Sequence, residues 1–341
     1  GNVPAGGAAA GGNVPAGGGA AGGNVPAPGG VAGGPAGGNI PPGGGAPTFG
    51  SGAGVTADQL GGIDPSKLDT LNKDDLGNLS SAAVGAFDKD QVANLDPNAV
   101  AGFDKDQVAG LNPTALGGFN KDQVAGLDAA AVGGFSKDQV AGLGATAMAG
   151  FKSDQVAGLA PTAMAGFNSD QVAAMDPTAM AGFDATKMAA MDPTAMAGFK
   201  ADQMAALDSS AVAALDSTKV ANLAPTAMAG FDKLKLNALD PTAMAGMKSD
   251  QIAGLKADAM GGLSADQMTA LAPTAMAGFK SDQVAALDPT AMTGFKKDQV
   301  AAMDAGAMAG FKPNQVAAFD PNAVSGLKQD QVAAFDPTAV S

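Results

Sequence analysis

The sequence predicts an all-α fold of one kind, a solenoid of very short helices, and three observations carry that expectation. An eight-residue unit repeats from Val55 to Ser341 without insertion or deletion, as thirty-five full copies and a last one of seven residues. The first and sixth places of all thirty-six octads are large and apolar, from Val55 and Leu60 to Phe335 and Val340. Between them stand helix start signals, clearest in Asp192-Pro193-Thr194. A unit this short cannot bury its own apolar pair, so the copies must stack.

The chain divides where the array begins. Residues 1–54 form a Gly/Ala/Pro-rich arm, flexible or extended, and residues 55–341 form the octapeptide-repeat solenoid. In the arm GNVPA recurs at Gly1, Gly12 and Gly23, GNIPP follows at Gly38, and no residue is charged. Abundant Gly and Pro without the strict third-residue Gly of collagen cannot build a core. Val3, Val14, Val25, Val31 and Ile40 stud this arm, a strip suited to docking on a neighbouring subunit. Its Gly runs lack the Gly-Lys-Ser/Thr ending of a phosphate loop. The sequence opens at Gly1 with no basic-then-apolar leader, which reads as a processed product or a fragment.

Within an octad each place has a local reason. Asp192 is a strong N-cap, because its carboxylate can accept from the orphan amides of a first turn. Pro193 follows at the first helical position, where a missing N–H costs nothing, and all thirteen prolines after residue 54 occupy that third place. Gly198 falls where a left-handed residue would close the helix. The partner octad starts differently: in Thr56-Ala57-Asp58-Gln59 a Thr caps and Gln59 can reach back, a capping box. Later copies keep Gln91, Gln107, Gln155 and Gln283 but place Asp or Lys at the cap, so the box is expected to be partial under Lys.

The two kinds of octad alternate strictly from Ala83 onward, one with Ala at its fifth place, the other with Gln or Lys. Such alternation predicts an even number of octads per coil, most simply two. The coil would then be flattened, with a Pro-Thr-Ala side and a Lys-Asp-Gln side. A β-solenoid is the alternative at this period, although fixed prolines suit helix starts better.

Composition narrows the function. The 341 residues include no His, Cys, Trp or Tyr, and also no Arg or Glu, so most common catalytic side chains are missing and no enzyme is expected. A net charge of −14 argues against nucleic acid. No apolar run is long enough for a membrane span. No cofactor is implied. Nearly all Asp residues lie at second or fourth places, as in Asp88, Asp90, Asp104 and Asp106. Stacked, these could form carboxylate ladders for Ca²⁺, though capping explains both places. The seventeen Met residues could suggest Cu(I), but all occupy first or sixth places and read as core. Thr178, Thr194 and Thr242 belong to a sparse row that could bind ice or carry sugar, and more simply sits in water.

The Gln-kind octads, such as VTADQLGG at Val55 and LSADQMTA at Leu263, resemble the LTxxQVAAL repeats of very large bacterial surface and secreted proteins. That resemblance covers residues 55–341 as a pattern and implies an extracellular stalk, adhesin or matrix component. The combined expectation is a non-enzymatic extracellular structural protein assembling end to end into filaments, with Val55, Leu60, Phe335 and Val340 at the joints. A surface adhesin or scaffold presenting a regular face to protein, glycan or Ca²⁺ is the alternative.

Overall fold

The computed structural model describes residues 55–339; the arm, Val340 and Ser341 lie outside them. The described residues contain helices and turns and no strand, so the β-solenoid alternative is excluded. Each octad makes one short helix, and the two kinds make different ones. Gln-kind octads form α-helices such as Ser169–Ala174 and Ala201–Ala206. Their first bond runs from the sixth-place amide to the cap carbonyl, Val172 to Asn168 at 3.1 Å. Ala-kind octads mostly form tighter 3₁₀ turns such as Pro177–Gly182 and Pro225–Gly230, while a few, such as Pro241–Met244, close as one α-turn. In these the Asp cap accepts from the fourth-place amide, Thr178 to Asp176 at 2.9 Å, and from the Thr hydroxyl at 2.6 Å. Binding so close to the cap favours an i→i+3 pattern, seen in Ala179 to the Asp176 carbonyl at 3.0 Å.

The next first-place residue turns the corner. Phe199 is extended (φ −65°, ψ 135°), and its N–H bonds back to the Met196 carbonyl at 3.2 Å. Every helix is therefore one edge of a polygon, with its first- and sixth-place side chains turned inward. Sixth-place residues from Leu60 to Met292 are essentially fully buried, and all seventeen Met residues lie in one continuous core. Phenylalanines sixteen residues apart meet across it: the Phe167, Phe183 and Phe199 ring centroids are each 6.4 Å apart in succession. None of these helices would persist alone, since nucleation dominates at this length.

The expectation of two octads per coil is corrected. Ala201–Ala206 packs on Pro177–Gly182 and on Pro225–Gly230, three octads before and three after, and the same offset holds for every packed pair of helices. Hydrogen bonds between coils span 25 to 31 residues, so one coil holds between three and four octads. Two edges of roughly 9 Å, six residues at about 1.5 Å each, would enclose no interior wide enough for facing Phe rings. The flattened shape with two chemically distinct sides is corrected with it. An odd offset sets a Gln-kind octad against an Ala-kind one, so alternation reports the stacking partner and both kinds share each side of the coil.

The role of Gly198 is corrected too. No described glycine adopts a left-handed conformation. A methyl on Gly198 would instead overlap the Ser169 carbonyl of the coil before, and one on Gly230 would overlap that of Ala201. These glycines let two backbones touch.

Candidate functional site

The chemistry that repeats most faithfully lies between coils, on the fifth-place glutamines. From Gln91 to Gln331 they are buried, at most 2% exposed. Each uses both ends of its amide. The Oε1 of Gln171 accepts from the Asn168 N–H at 2.9 Å, closing the helix start. Its Nε2 donates to the Val140 carbonyl at 2.7 Å and the Leu143 carbonyl at 2.8 Å, 31 and 28 residues earlier. Gln203 repeats this on Val172 and Met175, and Gln251 on Val220 and Leu223. The side chain is thus a latch that seals one corner of the previous coil. The capping-box reading found the Oε1 half of this arrangement and missed the Nε2 half.

Under several Lys caps the box is completed by a neighbour. Lys152 cannot accept, and the Gln155 amide is taken by Asp154 Oδ1 at 2.9 Å. Asp202 does the same for Gln203, and Asp250 for Gln251. Freed from capping, Lys152 extends its Nζ to the Ala125 carbonyl, 2.8 Å away in the previous coil.

Three octads replace the Gln by Lys. Lys187, Lys219 and Lys235 are buried, and their Nζ atoms pair with the caps of their own octads, Asp184, Asp216 and Asp232, at 2.8–2.9 Å. The Lys187 side-chain bond, then its backbone amide, hold the Asp184 carboxyl below the ordinary carboxylate range. Asp216 is lowered by the same bonds from Lys219. For Asp232 the backbone amide of Lys235 acts first and the side chain second.

The Ca²⁺ candidates fall into two roles. Asp88 and Asp104 cap their helices, accepting from the Gln91 and Gln107 amides at 2.8 Å. Asp90 and Asp106 lie in the first turns, where a carboxylate favours the amide end. Among the described residues no group of three or more acids comes close enough to hold a metal ion. The Thr row forms no column, because Thr recurs at sixteen-residue spacing and the coil at a different one. Thr178, Thr194 and Thr242 instead donate their hydroxyls to Asp176, Asp192 and Asp240.

Of the residues expected at the joints, Val55 and Phe335 are partly buried against the core, and Leu60 is fully buried inside it. Val340 lies outside the described residues. The last coil holds a partly open apolar cavity of about 130 Å³, lined by Val300, Met308, Phe311, Val316, Phe319 and their neighbours. No described helix is long and apolar enough to cross a membrane.

The chain matches no family model, and no curated protein is found to be similar to it.

Proposed function

We propose that this chain is a non-enzymatic structural protein, a stiff spacer serving as a stalk, filament subunit or matrix fibre outside the cell or on its surface. The joint between coils, the same wherever Gln holds the fifth place, carries this reading. Gln171, Gln203, Gln251 and their counterparts fasten successive coils by the same two carbonyl contacts. Glycines such as Gly198 and Gly230 let the backbones meet. Repeated identical joints give length and stiffness, which are the properties of a spacer. The likeness of the Gln-kind octads to repeats of large bacterial surface proteins points the same way.

End-to-end self-association is the finer part of the proposal. The last coil leaves Val324 and Val332 exposed beside an apolar cavity, a surface that a coil of the same template from a second copy would cover. Contacts between unlike ends generate filaments wherever their rotation does not close a ring. Light scattering across a concentration series, with and without residues 1–54, tests this. Growth of long particles that weakens on removing the arm is the expected result. A chain that stays monomeric at high concentration sinks the filament reading. Electron micrographs showing no rod would sink the spacer reading. A parallel series with millimolar Ca²⁺ and with chelator should give the same particles if the acids are caps; calcium-dependent growth would favour the scaffold alternative.

A further inference from the structure

The array carries one place where two successive joints between coils are written differently, and two independent features converge there. The first is the latch. Gln203 donates to Val172 and Met175, and Gln251 to Val220 and Leu223. Between them, the fifth places of two successive Gln-kind octads are Lys219 and Lys235. By the latch spacing of 28 and 31 residues, they stand over the carbonyls of Met188, Met191, Met204 and Leu207. Each Lys gives its Nζ to the carboxylate of its own octad, at 2.9 Å. A cross-coil contact has been exchanged for one inside the octad. Lys187, one Gln-kind position before Gln203, makes the same exchange.

The second feature is in the core. Gln-kind octads from residue 87 to 206 begin with Phe, and Phe167, Phe183 and Phe199 form a continuous edge-on series. The next place in that series is Leu215, so the aromatic run is interrupted at the seam where the latches are missing, and Phe returns one Gln-kind octad later at Phe231. Close ring pairs recur at Phe295 and Phe311. The octad of Lys235 also carries Leu234, 74% exposed, at the fourth place, where most Gln-kind octads have Asp.

We infer that the boundary between residues 188–207 and 216–239 is a built-in weak seam, at which the solenoid opens or bends before any other interior joint. In a one-dimensional array stability is the sum of units and interfaces, so the interface with the fewest bonds sets where it parts. The reading does not depend on what the rod is used for. It needs only that the array folds as described.

Native-state hydrogen–deuterium exchange on the full chain, resolved by peptide, reads it directly. Amides in 191–239 should exchange at least about tenfold faster than those in the fully latched flanking coils, 103–143 and 263–303. Restoring the latch with Lys219→Gln and Lys235→Gln together should bring 191–239 to the flanking rate. A second variant guards against trivial effects: Lys280→Asp, Asp282→Thr and Gln283→Lys write the Lys arrangement into a distant coil. It should create a second fast segment there while leaving the circular-dichroism spectrum unchanged. Uniform protection along the wild-type array overturns the inference, as does a segment that stays fast after both latches are restored. A transplant without effect overturns it equally.

Discussion

The middle of the array and its last coil are written in one template and differ in what covers them. Val300, a sixth-place residue, is 2% exposed, whereas Val332, in the same place four octads later, is 56% exposed. Met308 is fully buried and Val324, two octads on, is 40% exposed. Hydrogen bonding shows no such difference. Gln331 still latches the Val300 and Met303 carbonyls at 2.8 Å, and Asp336 still caps by accepting from the Thr338 amide at 2.8 Å. An octad therefore sets its own helix start and its bond to the coil before it. Its core is completed only by the coil after it.

The strongest way to break that comparison is a charge at matched sites. Met196→Asp puts a carboxylate at a fully buried place and should cost about 4 kcal/mol or more, opening neighbouring coils. Val332→Asp should cost less than about 1 kcal/mol, because water already reaches the site. Paired thermal melts decide it, and equal losses would mean that the last coil is covered in solution.

The latch comes next. Gln171→Leu strands the Leu143 carbonyl and the Asn168 amide, leaves the Val140 carbonyl with the Leu143 amide alone, and should cost about 2 kcal/mol at roughly 1 per stranded group. Gln171→Glu should be no milder, since it keeps the acceptor for Asn168 but turns a carboxylate oxygen toward two carbonyls. Denaturant melts of the two variants check this; a neutral Gln171→Glu would show that the amide end is not used.

Close approach is the third test. Gly198→Ala forces a methyl onto the Ser169 carbonyl, backbone against backbone, and should cost about 2 kcal/mol. Gly306→Ala meets only the cap oxygen Asp304 Oδ1 at 3.3 Å, where other octads seat Thr or Ser against the same oxygen, and should be nearly neutral. Were the two variants to melt together, the glycines would not be setting the coil spacing.

These contrasts also mark what could be read in the sequence. Places one and six, the Asp caps and the prolines were legible because their causes lie inside eight residues. Asp176 with Pro177 and Thr178 needs no neighbour to make a helix start. The number of octads per coil was not legible, since it follows from the corner at residues such as Phe199 and from the width needed for facing rings. Alternation was read as an even coil, although an odd offset produces it equally well by pairing unlike octads. Gln171 was half legible for the same reason: its Oε1 partner is three residues away, its Nε2 partners are 28 and 31 away. Gly198 shows the complement, a residue whose cause lies wholly in another coil.

Acid gives the smallest effect and should not distinguish the two regions at all. Asp192 in the middle and Asp336 in the last coil are both held below the ordinary carboxylate range, first by the hydroxyl of their own octad's Thr and then by its amide. Asp176 and Asp240 are lowered in the same order, and Asp288 first by the Thr290 amide and then by its hydroxyl. A carboxyl whose value is lower folded than unfolded stabilises the fold fully above the unfolded value. That contribution disappears as pH falls through the folded value. Stability should therefore be flat at neutral pH and decline gently below the ordinary carboxylate range. Because each cap is satisfied within its octad, amide exchange at acid pH should rise by similar factors in 184–200 and 327–339. A rise confined to the last coil would mean that the caps lean on the neighbouring coil, and that the helix starts are not local after all.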